Sequence, residues 1–181
     1  MIIWLNGAFG AGKTTLSDEL RSRITDHVYF DPEEVGFMMR EFVPLPDSGD
    51  FQDLPVWRRL VADTAIALRA HYPGTIIVPM TLVVPEYREE IFSRIEQSGE
   101  RVHHFWLDVS ADELTRRITE QVLMPEDPER DADARAFRLK NIERCVAARQ
   151  ELPAGTVILE TQDQKPEALA EIVLQSLSGR D

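Results

Sequence analysis

Apolar residues run continuously, rather than in alternation, through five segments that read as buried strands. These are Ile2 to Asn6, His27 to Asp31, Thr75 to Leu82, Arg101 to Val109 and Thr156 to Thr161. A strand apolar at successive positions presents apolar side chains on both faces, which favours a parallel sheet covered on both sides. Between the strands, apolar residues recur at helical spacing. Leu16, Leu20 and Ile24 follow the first strand, and Trp57, Leu60, Val61, Thr64 and Leu68 precede the third. Tyr87, Ile91 and Ile95 follow the third, with Pro85 suited to a first helical turn. Leu114, Ile118 and Val122 follow the fourth, where Ser110 and Glu113 read as a capping box. Phe137, Leu139, Ile142, Cys145 and Val146 form a further helical pattern, and Leu169, Ile172, Val173 and Leu177 close the chain.

Strands alternating with helices build βαβ units, so the pattern predicts an α/β fold of three layers, α/β/α, in one unit over residues 1–181. Two stretches break the rhythm. Residues 43–55 carry Pro44, Pro46 and Pro55, and Met124 to Asp133 is rich in proline and acid. Long irregular segments in a compact domain are commonly lids or binding loops. Residues 43–55 are therefore expected to form an acceptor-side loop, and 121–135 a lid.

The chemistry is concentrated where the first strand ends. Gly7-Ala8-Phe9-Gly10-Ala11-Gly12-Lys13-Thr14 fits the pattern G-x-x-x-x-G-K-[ST], a phosphate-cradling loop, and Thr15 continues it. Gly7 allows a turn that a side chain would hinder. Gly10 and Gly12 let backbone N–H groups approach phosphate oxygens. A helix opening near Lys13 adds the positive end of its dipole. Lys13 supplies a mobile charge for the β- and γ-phosphates, and the Thr14 hydroxyl suits a Mg²⁺ position. An apolar strand before the motif and an amphipathic helix after it are the context that separates this loop from a glycine-rich turn that binds nothing. The expected cofactors are ATP and Mg²⁺.

Composition narrows the partners. Of the 181 residues, 43% are hydrophobic and the formal net charge is −12, so general nucleic-acid binding, which needs Lys and Arg to displace counterions, is not expected. Cys145 has no partner cysteine and reads as a small apolar residue on a helix face. His103 and His104 are adjacent on a strand and so point to opposite faces, which argues against a chelating pair. The N-terminus has no positive n-region, and no stretch approaches the ~20 apolar residues of a membrane span. The expected location is cytoplasmic.

Asp31 ends the second strand, where ligands of open α/β sheets gather. It suits a base that takes a proton from an acceptor hydroxyl, or a carboxylate that holds Mg²⁺ through water. Asp31-Pro32-Glu33-Glu34 also reads as a helix N-cap with proline at the first position. Arg116, Arg117, Arg130, Arg135 and Arg138 flank or follow the acidic loop. Arginines on a closing lid stabilise a transferring phosphoryl group, and Arg117, then Arg135 and Arg138, are the first candidates. A solvated face paired with nearby acids is the reading for some of the five. On the acceptor side Phe37, Arg40 and Met80 are candidates, since Met and Phe crowded there suit either core or an apolar ligand pocket.

With these residues in place, the whole chain resembles the P-loop small-molecule and nucleotide kinases, a group that includes adenylate, shikimate and chloramphenicol kinases. The resemblance implies a five-stranded parallel sheet in order 2-3-1-4-5 and a mobile helical lid. Arg117-Ile118 resembles the arginine that opens the lid helix, and residues 161–166 resemble the adenine-side loop. Asp31 matches an acidic position at the end of strand two. More closely, IIWLNGAFGAGKT and FDPEEVGFMMR resemble the tunicamycin-resistance protein family. That likeness implies an ATP-binding protein that protects against tunicamycin, a uracil nucleoside antibiotic with an acyl chain. One departure stands out. Where many P-loop proteins carry an Asp at the end of strand three, this chain reads Ile77-Val78-Pro79-Met80-Thr81.

The leading expectation is thus an ATP-dependent kinase for a hydroxyl of a small molecule, tunicamycin or a nucleotide-sugar-like compound. The alternative is an ATP-gated protein that sequesters the drug unchanged, toward which the missing strand-three acid leans. A small NTPase switch ranks below both, since no Asn-Lys-x-Asp motif is present. The C-terminal helix is expected to pack on the sheet, because Pro166 to Ser178 has no Lys or Arg to attract anionic lipid. The acceptor, the oligomeric state and the choice between catalysis and sequestration stay open at the level of sequence.

Overall fold

A computed structural model describes residues 1–178; the last three positions of the expected 1–181 unit lie outside the described residues. Five strands, β1 (Ile2–Gly7), β2 (His27–Tyr29), β3 (Thr75–Pro79), β4 (Val102–Asp108) and β5 (Val157–Glu160), form one sheet in the order β2-β3-β1-β4-β5. Every pairing is parallel. The order is the one the kinase resemblance implied. It places the carboxyl end of β1 centrally, with β3 and β4 on its two sides, at the point where connections diverge to opposite halves of the sheet.

Side-chain alternation along β1 divides the core. Ile3 and Leu5 point into a cluster with Leu16, Leu20, Leu114 and Ile118. Ile2 and Trp4 point into a second cluster with Trp57, Val61, Ile91 and Ile95. The first is covered by α1 (Lys13–Arg23), α5 (Ala111–Glu120), α7 (Ile142–Ala147) and α8 (Pro166–Ser178). The second is covered by α2 (Pro32–Arg40), α3 (Pro55–His71) and α4 (Pro85–Gln97). The continuous apolar runs of the sequence are therefore the two-faced burial of a three-layer fold.

Several expected boundaries move. β2 ends at Tyr29, two residues before Asp31, and is only half-buried because it lies at the sheet edge. β5, the other edge, is likewise partly covered rather than buried throughout. β3 stops at Pro79 although apolar residues continue to Leu82. There the side chain of Asn6 replaces a neighbouring strand: its amide oxygen accepts from Leu82 N–H at 2.9 Å and its amide nitrogen donates to Leu82 C=O at 2.8 Å. α5 ends at Glu120, which leaves Val122 exposed rather than on a buried helical face. The pattern around Cys145 is two helices and not one. α6 (Pro128–Lys140) stops at Asn141, and α7 then buries Ile142 and Cys145.

Candidate active site

The loop between β1 and α1 follows from its glycines. Gly7 has φ +146°, and a Cβ there would stand 2.9 Å from the carbonyl oxygen of Leu107 on β4. No other residue fits without moving the sheet. Gly10, with φ +79°, would press a Cβ to 3.1 Å from Ile118 on α5, so the loop lies directly under that helix. Asn6 fixes the start of the turn, its amide oxygen accepting from Gly7 N–H at 2.8 Å.

Lys13 folds back into this loop. Its ammonium donates to Gly7 C=O at 3.0 Å, to Ala8 C=O at 2.8 Å and to the Thr81 hydroxyl at 2.7 Å. Burial lowers its pKa to about 8, while Glu33 acts in the opposite direction. A partly buried positive charge held by neutral acceptors at the edge of a cleft is placed to move onto an anion.

A cleft of about 980 Å³ opens over the loop. Phe9, Gly10, Gly12, Lys13, Thr14 and Thr15 line one side of it. Gly7, Ala8 and Ala11 belong to the same turn but are buried beneath it and do not line the space. Above stand Arg117 and Arg138. Arg117 pairs with Glu113 at 2.7 Å and reaches the Gly10 carbonyl at 3.5 Å. Arg138, on α6, donates to the Gln121 amide oxygen at 2.8 Å and lies close to Gly10. Arg135 stands apart from the cleft lining. It pairs with the buried Asp131 at 2.6 Å, whose carboxylate also accepts from the N–H groups of Leu123 and Met124. Those bonds hold the 121–127 segment in shape and leave Arg135 a framework part.

The opposite wall is the acceptor side. Asp31, Phe37, Arg40 and Met80 all line it. Asp31 is the N-cap of α2, accepting from Glu33 N–H at 2.9 Å, with Pro32 at the first helical position. It is a cap that also faces the cleft. Burial raises its pKa, although the capping N–H opposes the shift. Arg40 lies over the rings of Phe37 and Phe51, at 5.2 and 5.8 Å from their centroids.

Among the lining residues that motif and periodicity did not point to are four on the acceptor side. Glu33, in the first turn of α2, carries a carboxyl whose pKa is raised by burial and then by Asp31, against the pull of Lys13 and Arg138. Asp50 caps a 3-10 turn at Phe51–Asp53, and burial raises its pKa too. Gln52 is buried in that turn and donates to Thr81 C=O at 3.0 Å. Thr81, two residues beyond the end of β3, offers a hydroxyl and no acid. Position relative to a strand end could have flagged Glu33 and Thr81. Asp50 and Gln52 sit in an irregular segment that has no periodicity to read.

The comparisons agree with this geometry. Residues 2–145 match the AAA domain family. No curated protein matches the sequence. The fold is similar to that of the tunicamycin resistance protein of Deinococcus radiodurans, at 24% identity and TM-score 0.70, covering 98% of this chain and 95% of the other. It is also similar to a gluconokinase from Sinorhizobium meliloti 1021, at 16% identity and TM-score 0.62, covering 98% and 91%. The Mycobacterium tuberculosis APS kinase CysC, solved with AMPPNP and APS, aligns at 15% identity and TM-score 0.62, covering 98% and 96%. The family match spans most of the chain, and the sheet order and phosphate loop agree with it: the chain belongs to the AAA domain family and has the P-loop kinase-like fold.

Proposed function

We propose that this chain is an ATP-dependent kinase that phosphorylates a hydroxyl of a small molecule, with tunicamycin the first acceptor to test. One observation carries the reading. A single cleft holds Lys13 and the loop glycines on one wall, Arg117 and Arg138 overhead, and Asp31 with Glu33 on the facing wall. Cations gathered at one end and a carboxylate at the other are what phosphoryl transfer to a hydroxyl requires.

ATP binds with its phosphates on the loop N–H groups of residues 8–15, and Lys13 leaves its carbonyl acceptors for the phosphate oxygens. The acceptor oxygen attacks the γ-phosphorus, the bond to the β–γ bridging oxygen breaks, and ADP leaves. The acceptor proton passes to the Asp31 carboxylate. Arg117 and Arg138 balance charge on the transferring group. In this reading 121–135 is the lid that carries Arg138's partner Gln121, and 43–55 is the acceptor-side loop.

Mg²⁺ prefers oxygen donors and needs only one or two protein ligands when phosphates supply others. The Thr14 hydroxyl and the Asp31 carboxylate in the cleft lining fit that demand, although the segment after strand three offers a hydroxyl, Thr81, and no acid. Bound there, the ion would neutralise phosphate charge.

The test incubates the protein with Mg-ATP and tunicamycin and reads the antibiotic by mass spectrometry, with Lys13→Ala as control. A phosphorylated drug made only by the wild type supports the kinase. An unmodified drug whose binding ATP tightens supports sequestration instead, and the Thr81 hydroxyl in place of a strand-three acid is the feature that favours this second reading.

A further inference from the structure

The polar groups of the acceptor wall are mostly hydrogen-bond acceptors, set among Phe37, Phe51 and Met80, with Arg40 the cation on that side. Asp31, Glu33 and Asp50 each present a carboxyl to it. Gln52 adds a fourth group, and its orientation is fixed. The residue is 7% exposed, and its amide nitrogen is committed to Thr81 C=O at 3.0 Å. With that bond in place, the amide oxygen is the group Gln52 can offer to a donor in the cleft it lines.

The charges sort along the cleft. Lys13, Arg117 and Arg138 surround the phosphate loop. Asp31, Glu33 and Asp50 lie on α2 and the 50–53 turn. Cations do reach the acidic wall: Lys13 and Arg138 act on Glu33, and Arg144 acts on Asp50. Arg40 also lines it, but its guanidinium lies over Phe37 and Phe51 as an exposed flat platform. Lys13 and Arg138 are the groups that ATP phosphates engage, which leaves Glu33 without their compensation once nucleotide is bound.

We propose that the acceptor half of the cleft selects uncharged or cationic molecules rich in hydroxyl or amine donors, and rejects anionic acceptors, through Glu33, Asp50 and the amide oxygen of Gln52. The inference rests on the kinase reading for which half of the cleft takes the acceptor. It excludes nucleotide sugars and other phosphorylated acceptors, because a like charge set against two partly buried carboxylates is disfavoured.

Three open-chain polyols of one carbon skeleton test it: 1-amino-1-deoxysorbitol, a cation; sorbitol, uncharged; and gluconate, an anion. Each is titrated by calorimetry into the full chain saturated with Mg²⁺ and AMPPNP. The expected result is that gluconate binds at least about tenfold more weakly than either of the others. In the double variant Glu33→Gln with Asp50→Asn, gluconate should approach sorbitol to within about threefold. Asn keeps the cap at position 50, so the turn survives the change. Gluconate binding as tightly as sorbitol to the wild type overturns the proposal. So does an order unchanged in the double variant, or failure of all three to bind. AMPPNP affinity and transfer from ATP are read separately. Loss of those with the polyol order retained sinks the kinase reading and leaves the charge selection standing.

Discussion

The ammonium of Lys13 and the hydroxyl of Thr81, 68 positions apart in sequence, meet at 2.7 Å across the mouth of the phosphate loop. The contact ties α1 to the end of β3, and so joins the loop to the wall that carries Met80 and the Gln52 contact. It also gives the lysine a neutral resting place that a phosphate must outcompete.

Thr81→Val removes that acceptor while keeping the branched shape of a residue that is 3% exposed. Gly7 and Ala8 carbonyls still accept from Lys13, so the empty protein should lose only about 1 kcal/mol, read as a lower melting temperature. Because the contact is made in the empty state, ATP binding should tighten, by up to about tenfold in calorimetry. Thr81→Ser should leave both values near wild type. Weaker ATP binding in Thr81→Val would mean that the hydroxyl remains in use when nucleotide is bound.

The same lysine makes nucleotide binding pH-dependent. Burial lowers its pKa in the folded protein to about 8, from 10.5. Between those values the unfolded chain holds a proton that the folded chain has lost, so this group makes stability rise with pH from about 8 toward 10.5. Phosphate reverses the balance by stabilising the ammonium. ATP binding near pH 8 should therefore take up a fraction of a proton, and affinity should fall as pH rises further. Calorimetry in buffers of different ionisation enthalpy reads the uptake directly. Zero uptake at pH 8 would contradict a lysine that titrates there.

Glu33 offers the opposite sign. Burial and the neighbouring Asp31 raise its pKa, so its ionised form is disfavoured in the folded protein. The group binds protons more readily folded than unfolded, and its contribution to stability improves as pH falls through that raised pKa. Glu33→Gln removes the strain at neutral pH. It should raise stability by about 1 kcal/mol, roughly 2–4 °C in melting temperature, with the gain shrinking at acid pH where the wild-type carboxyl is already protonated. A gain that is the same at both pH values would assign it to packing instead.

The fold was legible because two-faced burial writes itself as continuous apolar runs, and the phosphate loop because its glycines have no substitutes. At Gly7 the Leu107 carbonyl forbids a Cβ, so the sequence must declare the site. The boundaries were less legible where side chains stand in for backbone. Apolar residues continue past Pro79 as if the strand did, but Asn6 has taken over the ladder. Asp50 and Gln52 left no trace, because a 3-10 turn in an irregular segment has no period and its pocket-facing groups are set by contacts distant in sequence, such as Gln52 with Thr81. Arg135 and Arg138 looked equivalent three positions apart, and only the buried Asp131 separates framework from cleft.

Asn6 and His104 supply the last prediction. The amide oxygen of Asn6 accepts from Gly7 N–H and Leu82 N–H, which fixes the amide's orientation. Its nitrogen therefore donates to both Leu82 C=O and His104 Nε2, the latter at 3.2 Å. Nε2 must carry the lone pair, so the ring proton sits on Nδ1 and is donated to the Thr156 hydroxyl at 2.8 Å. Burial, helped by Arg88, lowers the His104 pKa to about 3. The ring should stay neutral in the Nδ1–H form from pH 8 down to about 4, with nitrogen NMR shifts that do not titrate with the other histidines. Since the unfolded ring protonates near 6.5, the folded state loses stability as pH falls below that value, which adds to acid unfolding. Asn6→Ala removes its four side-chain bonds and leaves the N–H groups of Gly7 and Leu82 and the carbonyl of Leu82 unmet. The cost should be about 3 kcal/mol or more by urea denaturation, and His104 should lose its fixed tautomer. ATP affinity should fall with it, because the turn that begins at Gly7 loses the side chain that ties it to Leu82. An Asn6→Ala protein that binds ATP normally would show that the phosphate loop holds its shape without this anchor.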